Sequence, residues 1–211
     1  IEDLSLNKAA DQRFQIFAQL MRLRRACCNA SLVVPEKDFP SAKLEAFAEI
    51  LEELRGSNHN ALVFSQFVDH LSILRKYLDG EGIPYQYLDG STPPHERAKR
   101  VKAFQAGEGD CFLISLKAGG TGLNLTAADY VLHMDPWWNP AVEEQASDRA
   151  HRIGQERPVT VYRIVTKGTI EEKIVDLHTW KRDLAESLLD EAEAPLRLSA
   201  QEMLDLIRDA R

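Results

Sequence analysis

Gln145, Asp148, Arg149 and Arg152 are spaced i, i+3, i+4 and i+7 within Gln145-Ala-Ser-Asp-Arg-Ala-His-Arg-Ile-Gly-Gln155. On a helix all four side chains would line one face. Val142, Ala146, Ala150 and Ile153 would form a neighbouring apolar stripe able to bury that helix. Two guanidiniums on one rigid face suit a polyanion, because the planar fork grips phosphate oxygens in pairs. A solvated charged face is the ordinary reading of such spacing. The Gln and Asp at these offsets, the His-Arg-Ile-Gly-Gln ending and the upstream segments favour phosphate chemistry instead.

Those upstream segments each follow an apolar strand pattern, where open parallel sheets bind ligands. They are Ser65-Gln66-Phe67, Ser115-Leu-Lys117-Ala-Gly119-Gly120-Thr-Gly122-Leu-Asn124-Leu125, and Asp135-Pro-Trp-Trp138-Asn-Pro140. The glycine loop gathers bare amides, a hydroxyl and Lys117, a set that receives anions. It is not a dinucleotide fingerprint: Leu125 stands where the third glycine would be, and no acidic partner follows at a strand end. No Gly-x-x-x-x-Gly-Lys-Ser/Thr occurs either. Asp190-Glu-Ala-Glu193 follows a helical pattern rather than a buried strand, so it reads as solvated acid. Arginines placed for phosphate without a P-loop make half of a site.

The elements that must hold these residues alternate. Residues 1–30 read as helix, with Phe14, Phe17, Ala18 and Met21 at helical spacing, and a linker runs from Leu32 to Pro40. Ser41 can cap a helix carrying Leu44, Phe47, Ala48, Leu51 and Leu54 to a stop at Gly56. Strands are expected at 61–65, 84–88, 111–116, 130–134 and 159–165. Helices follow from Val68, from Thr92 as cap with Pro93 in the first turn, and from Asn139-Pro140. Ile170, Ile174, Leu177 and Leu184 continue a helix, and Leu204 and Ile207 suggest a short final one. Strands alternating with helices imply an α/β, mostly parallel sheet covered on both faces.

The chain of 211 residues with 44% hydrophobic content can build a real core. No apolar run approaches a membrane span and no signal-peptide pattern is present, so no membrane partner is expected. A start at Ile1 rather than Met suggests a trimmed piece of a longer protein. Cys27, Cys28 and Cys111 are odd in number and lack ligand spacing, which reads as reduced, intracellular, structural cysteines and no metal site. A formal net charge of −7 argues against a uniformly basic, nucleic-acid-coating surface but permits a local groove.

In combination, Ser115 to Leu125, Asp135 to Pro140 and Gln145 to Gln155 resemble motifs V and VI of the Swi/Snf-type DNA-dependent ATPases, a superfamily-2, helicase-like group. Leu62-Val-Phe-Ser-Gln-Phe67 resembles motif IV. Leu88-Asp-Gly-Ser-Thr92 with Glu96-Arg97 is similar to the stretch after it. Leu20-Met-Arg-Leu-Arg-Arg-Ala-Cys-Cys-Asn29 and Ile170-Glu-Glu-Lys-Ile174 resemble flanking helices of the family. The resemblance covers nearly the whole chain and only the second, C-terminal RecA-like lobe of the motor. It implies a three-layer RecA-like lobe over 41–168, a helical lead-in and linker over 1–40, and a helical extension over 169–211 packing on the lobe. One departure is that Leu116 stands where many relatives have Thr, and Thr121 where they have Leu.

The resemblance further implies ATP and Mg²⁺ in a cleft completed by an N-terminal RecA-like lobe, which brings the P-loop and the metal-binding acids. Arg149 and Arg152 would be the arginine fingers, Gln145 and Asp148 would orient them or the attacking water, and Gly122 would bring backbone to the nucleotide. Asp148 has an equal claim as a simple arginine partner. Ser65, Gln66, Ser115, Lys117, Gly119, Gly120 and Trp138 match positions holding the DNA backbone, Trp138 with a core-capping role as its rival. His133 and His151 are read as structural. The function implied is the C-terminal motor lobe of an ATP-dependent double-stranded-DNA translocase or remodeller, inactive alone, acting near some DNA-bound protein. The alternatives are a lobe of a strand-separating helicase and a catalytically silent binding module. Gly122 to Gln155 leaves no space for a large insertion, which points to a bacterial or archaeal source. The expected location is then the cytoplasm or nucleoid, or the nucleus if the source is eukaryotic.

Overall fold

A computed structural model describes residues 2–37, 39–119 and 122–187. The chain divides into two compact units, residues 39–165 and a second made of 1–38 with 166–211.

In the larger unit, five parallel strands lie in the order β2-β3-β1-β4-β5: β1 Ala61–Ser65, β2 Tyr85–Leu88, β3 Cys111–Ser115, β4 Tyr130–His133 and β5 Thr160–Arg163. β1 and β3 are buried at every position, as strands covered on both faces must be. Their alternation divides the core in two. Leu62, Phe64, Phe112, Ile114 and Val131 pack with Phe104 of α4 (Pro94–Gln105) and Ala146 of α6 (Pro140–Ser147). Ala61, Val63, Leu113 and Leu132 pack with Phe47 and Leu51 of α2 (Ala42–Gly56) and with Leu71, Leu74 and Leu78 of α3 (Val68–Gly80). Helices on both faces make the α/β, mostly parallel architecture that the alternation implied, and the three-layer RecA-like lobe that the resemblance implied.

The caps follow local chemistry. Ser41 accepts the Leu44 N–H, and Asn139 accepts the Ala141 N–H with Pro140 in the first turn of α6. Thr92 does not cap α4, contrary to expectation. Pro93 holds the cap position, and the Thr92 hydroxyl closes the preceding turn on Asp89.

The smaller unit holds α1 (Glu2–Cys28) and α7 (Ile170–Ser187). In α1 the buried line is Ile16, Leu20, Arg24 and Cys28, whereas Phe14 is 73% exposed and Phe17 is also open. Within this unit Thr166 donates to the Cys27 carbonyl, and buried Glu171 accepts the Thr166 N–H. The expected final helix around Leu204 and Ile207, and the acids Asp190, Glu191 and Glu193, lie outside the described residues. No described helix is long and apolar enough to cross a membrane.

Candidate nucleotide and nucleic-acid site

All strands run the same way, so Ser65, Ser115 and the turn after His133 emerge on one rim. β1 sends its connection towards β2 and β4 sends its own towards β5, and such divergence opens a crevice between two strands. Asp135 fills the base of that crevice. The Ser65 hydroxyl donates to its Oδ1 at 2.5 Å, and the Gln66 N–H lies 3.2 Å from both carboxylate oxygens. Ser65 is 1% exposed, so its hydroxyl is committed inward. Ser115 pairs in register with Ser65, is also buried, and accepts the Ala118 N–H at 3.4 Å. It thereby starts the single turn α5 (Leu116–Gly119), which leaves Lys117 exposed. Arg97 of α4 fixes this turn by donating to the Ala118 carbonyl at 3.0 Å. Gly119 ends α5, and Gly120 lies outside the described residues.

The arginine segment departs from expectation. α6 ends at Ser147 with Asp148 as its C-cap, so Gln145, Asp148, Arg149 and Arg152 do not share one helical face. Tertiary bonds stop the helix. The Arg149 carbonyl, which a continuing helix would offer to residue 153, accepts the Leu125 N–H from the glycine loop at 3.0 Å. The Asp148 carbonyl accepts Arg152 Nε at 3.1 Å. Ile153, expected in the buried stripe, is 101% exposed, while Ala146 and Ala150 are buried and Val142 is partly buried.

This loop brings the two chemical segments together. Arg152 Nη1 lies 3.5 Å from the Gly122 carbonyl. Gly122 holds φ +62°, and a Cβ there would meet nothing within 4 Å, so its glycine serves backbone conformation rather than clearance. Arg149 is 3% exposed and its Nε has no acceptor among the described residues. Burial, and then the charge of Arg152, hold its pKa below the ordinary arginine value against the pull of Asp148. Gln145 and Asp148 are exposed, and neither side chain makes a hydrogen bond among the described residues. A buried guanidinium beside a second one has the chemistry to receive an anion.

Residues 42–154 match the family model described as the helicase conserved C-terminal domain. The chain belongs to that family. Its relatives place it in the Swi/Snf-type branch. It is 42% identical over 197 residues to a putative ATP-dependent helicase/translocase, YwqA, of Bacillus subtilis, covering 90% of this chain and 21% of that protein. A human SWI/SNF-related matrix-associated actin-dependent regulator of chromatin (subfamily A member 1) is 36% identical over 206 residues, covering 90% of this chain and 20% of the relative. The chain spans about a fifth of the length of the curated relatives it matches. Among solved structures, the C-terminal domain of a Sulfolobus solfataricus SWI2/SNF2 ATPase superposes with a TM-score of 0.71 at 30% identity, over 93% of this chain and 82% of that one. The core of that ATPase, in complex with double-stranded DNA, gives 0.73 at 29% identity, over 94% and 40%.

In this Swi/Snf-type lobe, sequence reasoning missed three residues that hold the site. Asp135 anchors Ser65 and Gln66. Glu143, 1% exposed on α6, accepts the Trp137 N–H at 2.7 Å through Oε1 and the Arg163 guanidinium at 2.6 Å through Oε2, which fixes the turn bearing half-buried Trp138. Gln155 sets its amide nitrogen 3.2, 2.7 and 3.3 Å from the carbonyls of Thr126, Ala128 and Ala150. An acid one turn into a helix after a strand, and a polar residue just past a glycine, were the available signals. His133 is buried, bonds the Ser147 hydroxyl and stacks on Phe64, with burial lowering its pKa. His151 is exposed.

Proposed function

We propose that the chain is the C-terminal motor lobe of an ATP-dependent double-stranded-DNA translocase, contributing Arg149 and Arg152 to an ATP site that a second RecA-like lobe completes. The observation that carries this reading is Arg149: a buried guanidinium with an orphan Nε, next to a second arginine. A terminal phosphate satisfies both. Phosphoryl transfer needs charge stabilisation more than covalent chemistry, and an arginine finger contributes about 10³–10⁵ in rate. Arg152, tied to Gly122 and Asp148, sets the depth to which the loop reaches. Exposed Gln145 and Asp148 orient the arginines or the attacking water. Mg²⁺ belongs mainly to the partner lobe.

On the rim, Lys117, Gln66, the backbone at Gly119 and Gly120, and Trp138 meet the DNA backbone without reading bases. Ser65 and Ser115 support that rim from beneath, Ser65 through Asp135 and Ser115 through the first turn of α5. The dsDNA complex of the Sulfolobus core and the ATP-dependent names of the relatives support this assignment. A DNA-bound protein is the proposed obstacle or cargo.

ATP turnover tests the half-site. DNA-stimulated hydrolysis is expected from the intact protein and none from the purified 211-residue chain. Measurable turnover by that chain alone contradicts the proposal.

A further inference from the structure

β2 is an edge strand, and a recess of about 510 Å³ opens along it, lined by Arg75, Tyr85, Tyr87, Ser91, Thr92 and Arg100 among others. Arg75 comes from α3 and Arg100 from α4, so guanidiniums from opposite helical layers converge on one strand. Each is anchored by a tyrosine of β2. The Arg75 guanidinium carbon sits 4.3 Å from the centre of the Tyr87 ring, and its Nε donates to the Tyr85 hydroxyl at 3.3 Å. Arg75 forms no ion pair among the described residues. Arg100 Nη1 donates to the Tyr87 carbonyl at 2.5 Å, and its ion pair with Glu96 is long, at 3.9 Å.

Asp89, the acid in the lining, is already satisfied. It accepts from the Tyr87 hydroxyl at 2.7 Å, the Ser91 N–H at 2.8 Å, the Ser91 hydroxyl at 2.7 Å and the Thr92 hydroxyl at 3.2 Å. Its charge therefore rests on local donors, and it pairs with neither arginine. Several guanidinium N–H groups remain for a ligand, held in place before it arrives.

We propose that this recess is an oxyanion seat that takes a phosphate group. It lies on the rim already described, because Leu88 pairs with Ile114 and the chain leaves β2 beside Ser115. The phosphate belongs either to the backbone of bound DNA or to a free phosphate ester, which present the same oxygens. Only the DNA source rests on the function proposed above.

The test compares the intact wild-type protein with the Arg75→Gln/Arg100→Gln double variant, using inorganic pyrophosphate and a short labelled duplex as separate probes. Pyrophosphate should raise the melting temperature of the wild type and not of the variant. If the seat holds DNA, the variant binds duplex about fivefold more weakly at 0.15 M salt, with the slope of log K against log salt reduced by about 0.9, the signature of one lost phosphate contact. Loss of the pyrophosphate response with duplex binding unchanged supports a free-ester seat. A wild type that binds no duplex but keeps an arginine-dependent pyrophosphate response sinks the DNA assignment and leaves the seat standing. Unchanged responses to both probes overturn the proposal. Should the double variant not fold, Arg75→Gln alone, read against Arg75→Lys, carries the same comparison.

Discussion

The carboxylate of Glu143 holds the backbone N–H of Trp137 at 2.7 Å while its other oxygen holds Arg163 of β5. One buried acid thus joins the turn after β4, the first turn of α6 and the neighbouring strand. Glu143→Ala leaves a buried N–H and a guanidinium without their acceptor, and should destabilise the protein by about 1–3 kcal/mol. Denaturant unfolding measures this. Glu143→Gln should recover part of the loss, because its amide oxygen can still accept.

Gln155 clasps the loop that contains Arg149 and Arg152. Gln155→Ala should cost about 1–2 kcal/mol, and amide exchange at Leu125, whose N–H bonds the Arg149 carbonyl, should accelerate. Exchange unchanged at Leu125 would show that the clasp holds nothing in register.

His70 gives a pH dependence with a defined sign. Both ring nitrogens are buried without hydrogen-bond partners among the described residues, and burial, with a smaller contribution from Lys43 and against Asp135, lowers its pKa to about 4. The unfolded chain binds its proton near pH 6.5, so between 6.5 and 4 the unfolded state holds more protons. Stability is therefore fully present above 6.5 and falls as the pH drops towards 4, by about 3 kcal/mol in all. His70→Met should flatten that part of the stability curve relative to wild type. An unaltered slope excludes His70 as its source.

The layers were legible because buried parallel strands are short apolar runs between turn signals. Ala61 to Ser65 and Cys111 to Ser115 show this most plainly. The arginine segment was misread for the opposite reason. Ala146 and Ala150 keep a helical period past the point where the Leu125 N–H claims the Arg149 carbonyl and Arg152 turns back on the Asp148 carbonyl. The first of these bonds joins residues 24 apart in sequence and leaves no local periodic trace. Motif position assigns Ser65 and Ser115 to the DNA backbone, yet both are buried with their hydroxyls bonded inward. Motif position gives the neighbourhood of a side chain and not its exposure.

In the proposed motor lobe, Arg149 acts on phosphate and not merely on packing. Arg157, in the same loop but bonded to Asp129 and the Asn58 carbonyl, provides the control. In the intact protein, DNA-stimulated kcat should fall by about 10³-fold or more in Arg149→Gln with duplex affinity unchanged. Arg157→Gln should lower stability and leave kcat near wild type. An Arg149→Gln protein that folds, binds duplex and hydrolyses ATP at the wild-type rate would show that Arg149 does not act on phosphate.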